Sequence, residues 1–206
     1  MKDFNLYVII GGKDLAGGDL ADIAKRAVRG GADVIQLREK QASARDIVRL
    51  GLVVKKAIQD TKALFIINDR PDIALAVGAD GVHLGQDDLP VEAARLILGK
   101  DKIIGLSTHS IAQALEAQKR GADYIGVGPI FSTPTKPDYK PVGLNLVKQV
   151  KNKVNIPFVA IGGIDETNID EVVDAGACRV AVVRAVCRAK DVEAAARSLK
   201  ERLKKI

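Results

Sequence analysis

Polar side chains with chemical capacity gather where apolar runs stop. In "QLREK", Gln36, Arg38 and Lys40 share parity, so a long donor, a planar fork and a point cation can converge on a diphosphate. "FIINDR" ends in Asn68 and Asp69, and "GVHLGQDD" supplies Asp87 and Asp88. Carboxylates from neighbouring strand ends suit Mg²⁺, a hard cation held by one or two carboxylates together with phosphate oxygens and water. Each pattern also has a plain structural reading. Arg38 and Lys40 can be solvated while Glu39 pairs locally, Asn-Asp before Arg-Pro is good turn chemistry, and Asp88 can cap a helix ahead of Pro90.

Further along, Ser107 closes the strand in "GLSTH", and "GVGPIFSTPTK" carries Thr133, Thr135 and Lys136. Hydroxyls and backbone amides can hold a second phosphate or carboxylate, with Lys136 bridging to the diphosphate. The stretch from Phe131 to Pro141 is the candidate lid, since it joins Ser, Thr and Pro punctuation to ligand-binding residues. His83 reads as a hydrogen-bonded core histidine, and His109 as a rim group or a helix starter; neither is assigned to catalysis. Cys178 and Cys187 sit in apolar context without metal-like spacing and read as inert reduced thiols.

The elements that must position these groups alternate. "LYVII", "DVIQLR", "LFIIN", "GVHLG", "KIIGLS", "YIGVG", "PFVAIG" and "RVAVVRA" are strand candidates, each followed by a helix candidate: 20–29, 44–59, 71–77, 89–98, 110–120, 143–153, 168–175 and 191–205. Four helices end alike, in "GGAD" at 30, "VGAD" at 77, "RGAD" at 120 and "AGAC" at 175, where Gly can take the left-handed cap. This recurrence suggests a half-barrel or quarter-barrel repeat. The expected fold is a single α/β domain over 1–206, a closed (β/α)8 TIM barrel somewhat shorter than the usual ~250 residues, with a doubly wound open sheet as the alternative.

Alternation predicts Ile35, Leu37, Val82, Leu84, Ile104, Leu106, Ile125, Val127, Val159 and Ile161 facing the helices. The opposite parity holds Gln36, Arg38, His83, Gly105, Ser107, Gly126, Gly128, Ala160 and Gly162, an interior polar or stripped of bulk that leaves room for a ligand ring. In such a barrel "IGGI", with Gly162 and Gly163, and "VVRA" fall where backbone amides hold phosphate. A turn-only role for these glycines is the alternative.

A hydrophobic share of 47% excludes a disordered chain, and "LYVII" is too short for a membrane span and lacks signal-peptide flanks. A soluble, cytoplasmic protein is expected, with homo-oligomerisation left open. The net charge of +6 could serve nucleic acid, but at 3% aromatic and without Trp the chain is poorly provided for stacking on bases. Small phosphorylated substrates fit the charge equally well.

Together "QLREK", "IINDR", "GVHLGQDD", "GLSTH", "GADYIGVGPIFSTPTK", "VAIGGI" and "VAVVRA" give a chain that resembles the thiamine phosphate synthase family over essentially its whole length. The resemblance implies a transferase that joins a hydroxymethylpyrimidine diphosphate to a thiazole phosphate and releases pyrophosphate, with carbon dioxide also leaving when the thiazole is carboxylated. It implies that Gln36, Arg38, Lys40, Asn68 and Lys136 hold the pyrimidine diphosphate, that Asp69 and Asp88 ligate Mg²⁺, and that Ser107 lies beside the pyrimidine. Thr133 and Thr135 would meet the thiazole phosphate, whose phosphate Gly163 and the backbone around Val183 and Arg184 would hold. Arg184 stands where many relatives carry Ser; turned inward its guanidinium adds a phosphate contact, turned outward only its amide counts. Two rival readings are a thiazole tautomerase-like barrel, which needs no metal pair, and a non-catalytic phosphate-binding regulatory barrel. A sugar-phosphate epimerase or isomerase would want paired acid/base carboxylates facing one carbon, and no inward His-Asp metal set in the sequence supports it.

Overall fold

The computed structural model describes residues 4–12, 19–133 and 140–203. Its strands are β1 (Leu6–Ile10), β2 (Val34–Leu37), β3 (Leu64–Asn68), β4 (Gly81–Leu84), β5 (Ile103–Thr108), β6 (Tyr124–Val127), β7 (Phe158–Ile161) and β8 (Val180–Val182). They pair in parallel in chain order, and β8 returns to β1 to close the barrel, which excludes the open sheet. The helices are α1 (Leu20–Arg29), α2 (Ala44–Ile58), α3 (Pro71–Ala76), α4 (Val91–Leu98), α5 (Ile111–Lys119), α6 (Gly143–Lys153), α7 (Ile169–Asp174), α8 (Arg184–Cys187) and α9 (Val192–Leu203). The short α8, directly after β8, has no counterpart among the helices expected from periodicity, because four residues are too few to establish a period. Among the described residues no helix is long and apolar enough to cross a membrane.

Local chemistry starts the helices. Ser43 and Ser110 accept from the amides of Asp46 and Gln113 at 3.1 and 3.2 Å, each satisfying an N-terminal donor of α2 or α5. Pro71 opens α3 at a position whose missing amide costs nothing. The glycines after the helices do turn left-handed, with φ of 103° at Gly31, 64° at Gly78, 83° at Gly121 and 105° at Gly176.

The aspartates of the repeated "GAD" have a common task. Asp33 accepts from the amide of Leu6 at 3.0 Å, Asp80 from Phe65 at 2.8 Å and Asp123 from Ile104 at 2.7 Å. Each one, placed just before an even-numbered strand, holds the first turn of the odd-numbered strand before it. The repeat seen in the sequence is thus a two-strand unit that clamps the amino-terminal rim. Lys200 and Arg95 neutralise Asp33 and Asp123 from α9 and α4.

Packing forms two layers. The outer shell joins the strand residues Ile35, Leu37, Val82, Leu84, Ile104, Leu106, Ile125 and Val127 to the helices, as alternation predicts. Each fully buried Ile or Leu of this shell is worth roughly 1.5–3 kcal/mol relative to exposure. The inner cluster consists of Phe4, Tyr7, Ile9, Val34, Leu64, Ile66, Tyr124, Val159 and Ala181.

β7 corrects the expected parity. Val159 pairs with the inward Gly126 and lies inside the barrel with Ile161 packed against the same cluster, whereas Ala160 faces the helices. The cause is Gly162, which lies past the strand end at a φ of 105°. A left-handed residue breaks strict alternation, so counting back from it inverts the face. A second correction concerns Gly105. The room it leaves is taken by Tyr124, not kept for a ligand: a Cβ there would sit 2.2 Å from Tyr124 Cζ. Gly105→Ala is therefore expected to destabilise the barrel by about 1–3 kcal/mol through overpacking, read as a lower urea midpoint. An unchanged midpoint would mean the Tyr124 ring can shift freely.

Candidate active site

With Phe4 set edge to face against Tyr7 and Tyr124 at centroid distances of 6.3 and 6.2 Å, the amino-terminal half of the barrel is filled. The carboxyl-terminal half opens into a cavity of about 470 Å³. That is a volume suited to a small ligand.

Most sequence-selected residues converge on it. Gln36, Arg38, Ser107, Thr133, Gly163, Val183 and Arg184 all line this cavity, joined by Tyr7, Ile9, His83, His109, Tyr124, Val159, Ile161 and Arg188. Gln36 is 2% exposed and donates from Nε2 to the Tyr7 hydroxyl at 2.7 Å. Ser107 Oγ lies 2.9 Å from His83 Nε2, and His83 Nδ1 lies 2.9 Å from the Tyr124 hydroxyl. His83 is thus hydrogen-bonded on both nitrogens, as a core histidine should be, and it also borders the cavity. His109 makes an Nδ1 contact with the Gly128 carbonyl, which ties it to the β6 exit.

On the opposite wall the β7 exit and α8 expose backbone. Gly162 and Gly163 both have positive φ, and Val183 caps α8. Arg184, its first residue, borders the cavity while remaining exposed to solvent. Of the remaining expected residues, Thr135 and Lys136 lie outside the described residues, as does most of the stretch read as a lid.

The carboxylates form an adjoining cluster on the same rim. Asp69, half-buried, meets Lys40 Nζ at 3.0 Å, and its carboxyl group comes within hydrogen-bonding reach of Asp88. Burial, then the neighbouring Asp88, push the Asp69 carboxyl above its ordinary value, and Lys40 offsets only part of this. Asp88 does not cap α4, whose cap position is Pro90; its Oδ2 accepts from the Gly85 amide at 2.6 Å and so folds back toward the strand ends. Asp87 is exposed. Asn68, the half-buried last residue of β3, pairs in register with His83. Glu39 accepts from the Gly12 amide after β1, a contact between strand ends and not a pairing with its sequence neighbours, while Arg38 lines the cavity.

Asp69 is also the one non-glycine with positive φ among the described residues, at 63°. A strained backbone that presses two carboxylates together is a poor structural arrangement, and such strain gathers at sites that hold ligands. All-oxygen donors of this kind fit a hard divalent cation such as Mg²⁺. Among the described residues no group of three or more acidic, His or Cys side chains is placed to hold a metal, so a cation on the Asp69–Asp88 pair would complete its shell with phosphate oxygens and water.

Fold and site together define a (β/α)8 barrel whose open end carries a cavity of small-molecule size, bordered by arginines and adjoined by an acidic pair. The thiamine monophosphate synthase family model matches residues 6–186, and the chain belongs to that family. It is 49% identical to the thiamine-phosphate synthase of Shouchella clausii over 97% of this chain and 96% of that one, and 48% identical to that of Halalkalibacterium halodurans over 94% and 92%. The solved thiamine phosphate pyrophosphorylase of Pyrococcus furiosus superposes with a TM-score of 0.90 at 40% identity, covering 98% of this chain and 96% of that one.

Proposed function

We propose that this chain condenses 4-amino-2-methyl-5-hydroxymethylpyrimidine diphosphate with a thiazole phosphate, plain or carboxylated, to give thiamine phosphate and pyrophosphate, with carbon dioxide also released from the carboxylated substrate. The observation that carries the reading is one cavity with two polar walls: Gln36, Arg38 and Ser107 on the first, Thr133, Gly163 and Arg184 on the second. Between them lie Ile9, Val159 and Ile161, an apolar middle on which two rings can stack.

The pyrimidine would lie between Gln36 and Ser107, with its diphosphate directed to Arg38, Lys40, Asn68 and Lys136. Asp69 and Asp88 would hold Mg²⁺, which when bound supplies neutralisation of charge on the departing pyrophosphate. Lys40 would exchange its contact with Asp69 for a diphosphate oxygen. In the reaction the bond from the exocyclic methylene to oxygen breaks and its electron pair leaves with pyrophosphate, while the thiazole nitrogen lone pair forms the new carbon–nitrogen bond. The amino group of the pyrimidine feeds electrons toward the methylene, so no side-chain nucleophile is required. What the chain contributes is charge and alignment. A donor placed on the leaving oxygens is worth about 3 kcal/mol, and fixing two reactants face to face adds several more.

The second wall would hold the thiazole phosphate by Thr133 and Thr135, by the Gly163 and Val183 backbone, and by both the amide and the guanidinium of Arg184. Incubating purified protein with both substrates and Mg²⁺ is expected to yield thiamine phosphate and one equivalent of pyrophosphate. Proton exchange on the carboxythiazole phosphate with no pyrophosphate released would instead favour the tautomerase reading. Ligand binding with neither reaction would favour the regulatory barrel.

A further inference from the structure

The interior of the barrel holds a continuous row of hydrogen-bonding groups that the leaving-group chemistry does not use. Gln36 Nε2 lies 2.7 Å from the Tyr7 hydroxyl, which lies 3.0 Å from the Tyr124 hydroxyl. That hydroxyl lies 2.9 Å from His83 Nδ1, and His83 Nε2 lies 2.9 Å from Ser107 Oγ. Tyr7 and Tyr124 are each 2% exposed, and burial raises both phenols well above their ordinary range, so both keep their protons.

A hydroxyl has one proton to give, so each link dictates the next. Gln36 donates its amide proton to Tyr7, which leaves Tyr7 to donate to Tyr124. Tyr124 in turn donates to His83 Nδ1. The neutral imidazole then carries its proton on Nε2 and donates to Ser107. At the two ends of the row, both on the cavity wall, this leaves the Gln36 carbonyl as an acceptor and the Ser107 hydroxyl as a donor. The order can reverse only as a whole: the Gln36 amide turns over, both phenols swing round, and the imidazole changes tautomer. A half-reversed row would bury one link as two facing protons or two facing lone pairs, at a cost of about 1–3 kcal/mol.

We propose that this Gln36–Tyr7–Tyr124–His83–Ser107 row is the device by which the site distinguishes a 4-aminopyrimidine from its 4-oxo counterpart. The inference rests on the placement of the pyrimidine between Gln36 and Ser107 given above. An aminopyrimidine offers N–H donors from its amino group and lone pairs on its ring nitrogens, which match the acceptor at Gln36 and the donor at Ser107. The 4-oxo ring offers a carbonyl acceptor and a ring N–H, and so demands the reversed order across all five residues. Tyr7, Tyr124 and His83 are then positioning residues, which act through the two ends.

The test is the ratio of kcat/KM for the 4-amino and 4-oxo pyrimidine diphosphates, measured in the parent, Tyr7→Phe and Tyr124→Phe. The intrinsic reactivity of the two compounds differs, but it is common to all three proteins and cancels when ratios are compared. Either Phe cuts the row, so that each end can orient independently. The expected result is a ratio at least about tenfold smaller in both variants, because the 4-oxo compound no longer has to reverse a buried link. A merely structural role would lower stability and leave the ratio alone. A ratio within twofold of the parent in folded variants overturns the proposal. Should a variant lose turnover, calorimetric binding of the two diphosphates gives the same ratio without catalysis, with the same criterion. Failure of the parent to make thiamine phosphate would sink the functional reading instead, while the binding ratio would still judge the row.

Discussion

Asp69→Asn is expected to lower kcat/KM for thiamine phosphate formation by about 10²–10³-fold or more while leaving the metal-free protein as stable as the parent or more so. The two halves of this result have one cause. Asp69 sits at a φ of 63°, a conformation that Asn adopts more readily than most residues, so the backbone is not further strained. Asn removes the charge that Asp88 opposes, and its amide oxygen can still accept from Lys40. The proposed cation, by contrast, loses one of its two carboxylates. The pH dependence gives an independent reading. A carboxyl group whose folded value is raised contributes stability that is complete below its unfolded value, near 3.8 for Asp, and that is lost as pH rises through the folded value. Urea unfolding in the presence of a chelator should therefore show the parent losing stability above about pH 4 relative to Asp69→Asn. Undiminished turnover in the variant, with Mg²⁺ present, would refute the assignment of Asp69.

The acidic pair was legible in the sequence because it depends on strand ends alone. A closed barrel delivers the carboxyl ends of adjacent parallel strands to one rim, so Asp69 after β3 and Asp88 after β4 had to be neighbours once the alternation of elements was recognised. The same reasoning placed Gln36, Arg38, Ser107, Gly163 and Arg184 on one wall or another of a common cavity. It failed where a contact crosses the barrel. Tyr7 and Tyr124 are 117 residues apart and lie on strands that do not pair, so no local pattern announces their hydrogen bond. A partial signal existed in "YIGVG", since Tyr124 shares the inward parity of Gly126 and Gly128. An aromatic residue there, opposite Gly105 on the paired strand, points to a ring lying over the glycine.

The β7 exit shows a different limit. "IGGI" was readable as glycine-rich, but the left-handed turn at Gly162 breaks the alternation past the strand end, so a count that includes it assigns the apolar residues of β7 to the wrong face. Val159 and Ile161, expected among the helices, instead supply the surface on which rings would stack. The cavity is consequently narrower than glycine and alanine alone would have made it, and more apolar.

That exit also yields the second large effect, Gly163→Ala. A Cβ at Gly163 would lie 2.6 Å from the Ser132 carbonyl oxygen and 2.8 Å from Phe131 Cβ, and Gly163 has a φ of 66°. The neighbouring backbone cannot easily yield, because Ile130 and Phe131 donate to the Ile161 and Gly162 carbonyls at 2.9 and 3.0 Å, and Asn168 donates to the Gly163 carbonyl at 2.8 Å. The methyl group should therefore displace the segment that leads to Thr133 and spoil the second wall. A stability loss of about 1–3 kcal/mol is expected, together with a rise of about tenfold or more in KM for the thiazole phosphate and a much smaller change for the pyrimidine diphosphate. Gly121→Ala separates the causes: its φ of 83° also places a side chain in left-handed backbone, yet a Cβ there meets nothing within 4 Å. The difference between the two variants in urea midpoint thus measures the collision with the Ser132 backbone, and the difference in KM measures its consequence for the ligand. If Gly163→Ala behaves like Gly121→Ala in both, this loop does not shape the thiazole phosphate site.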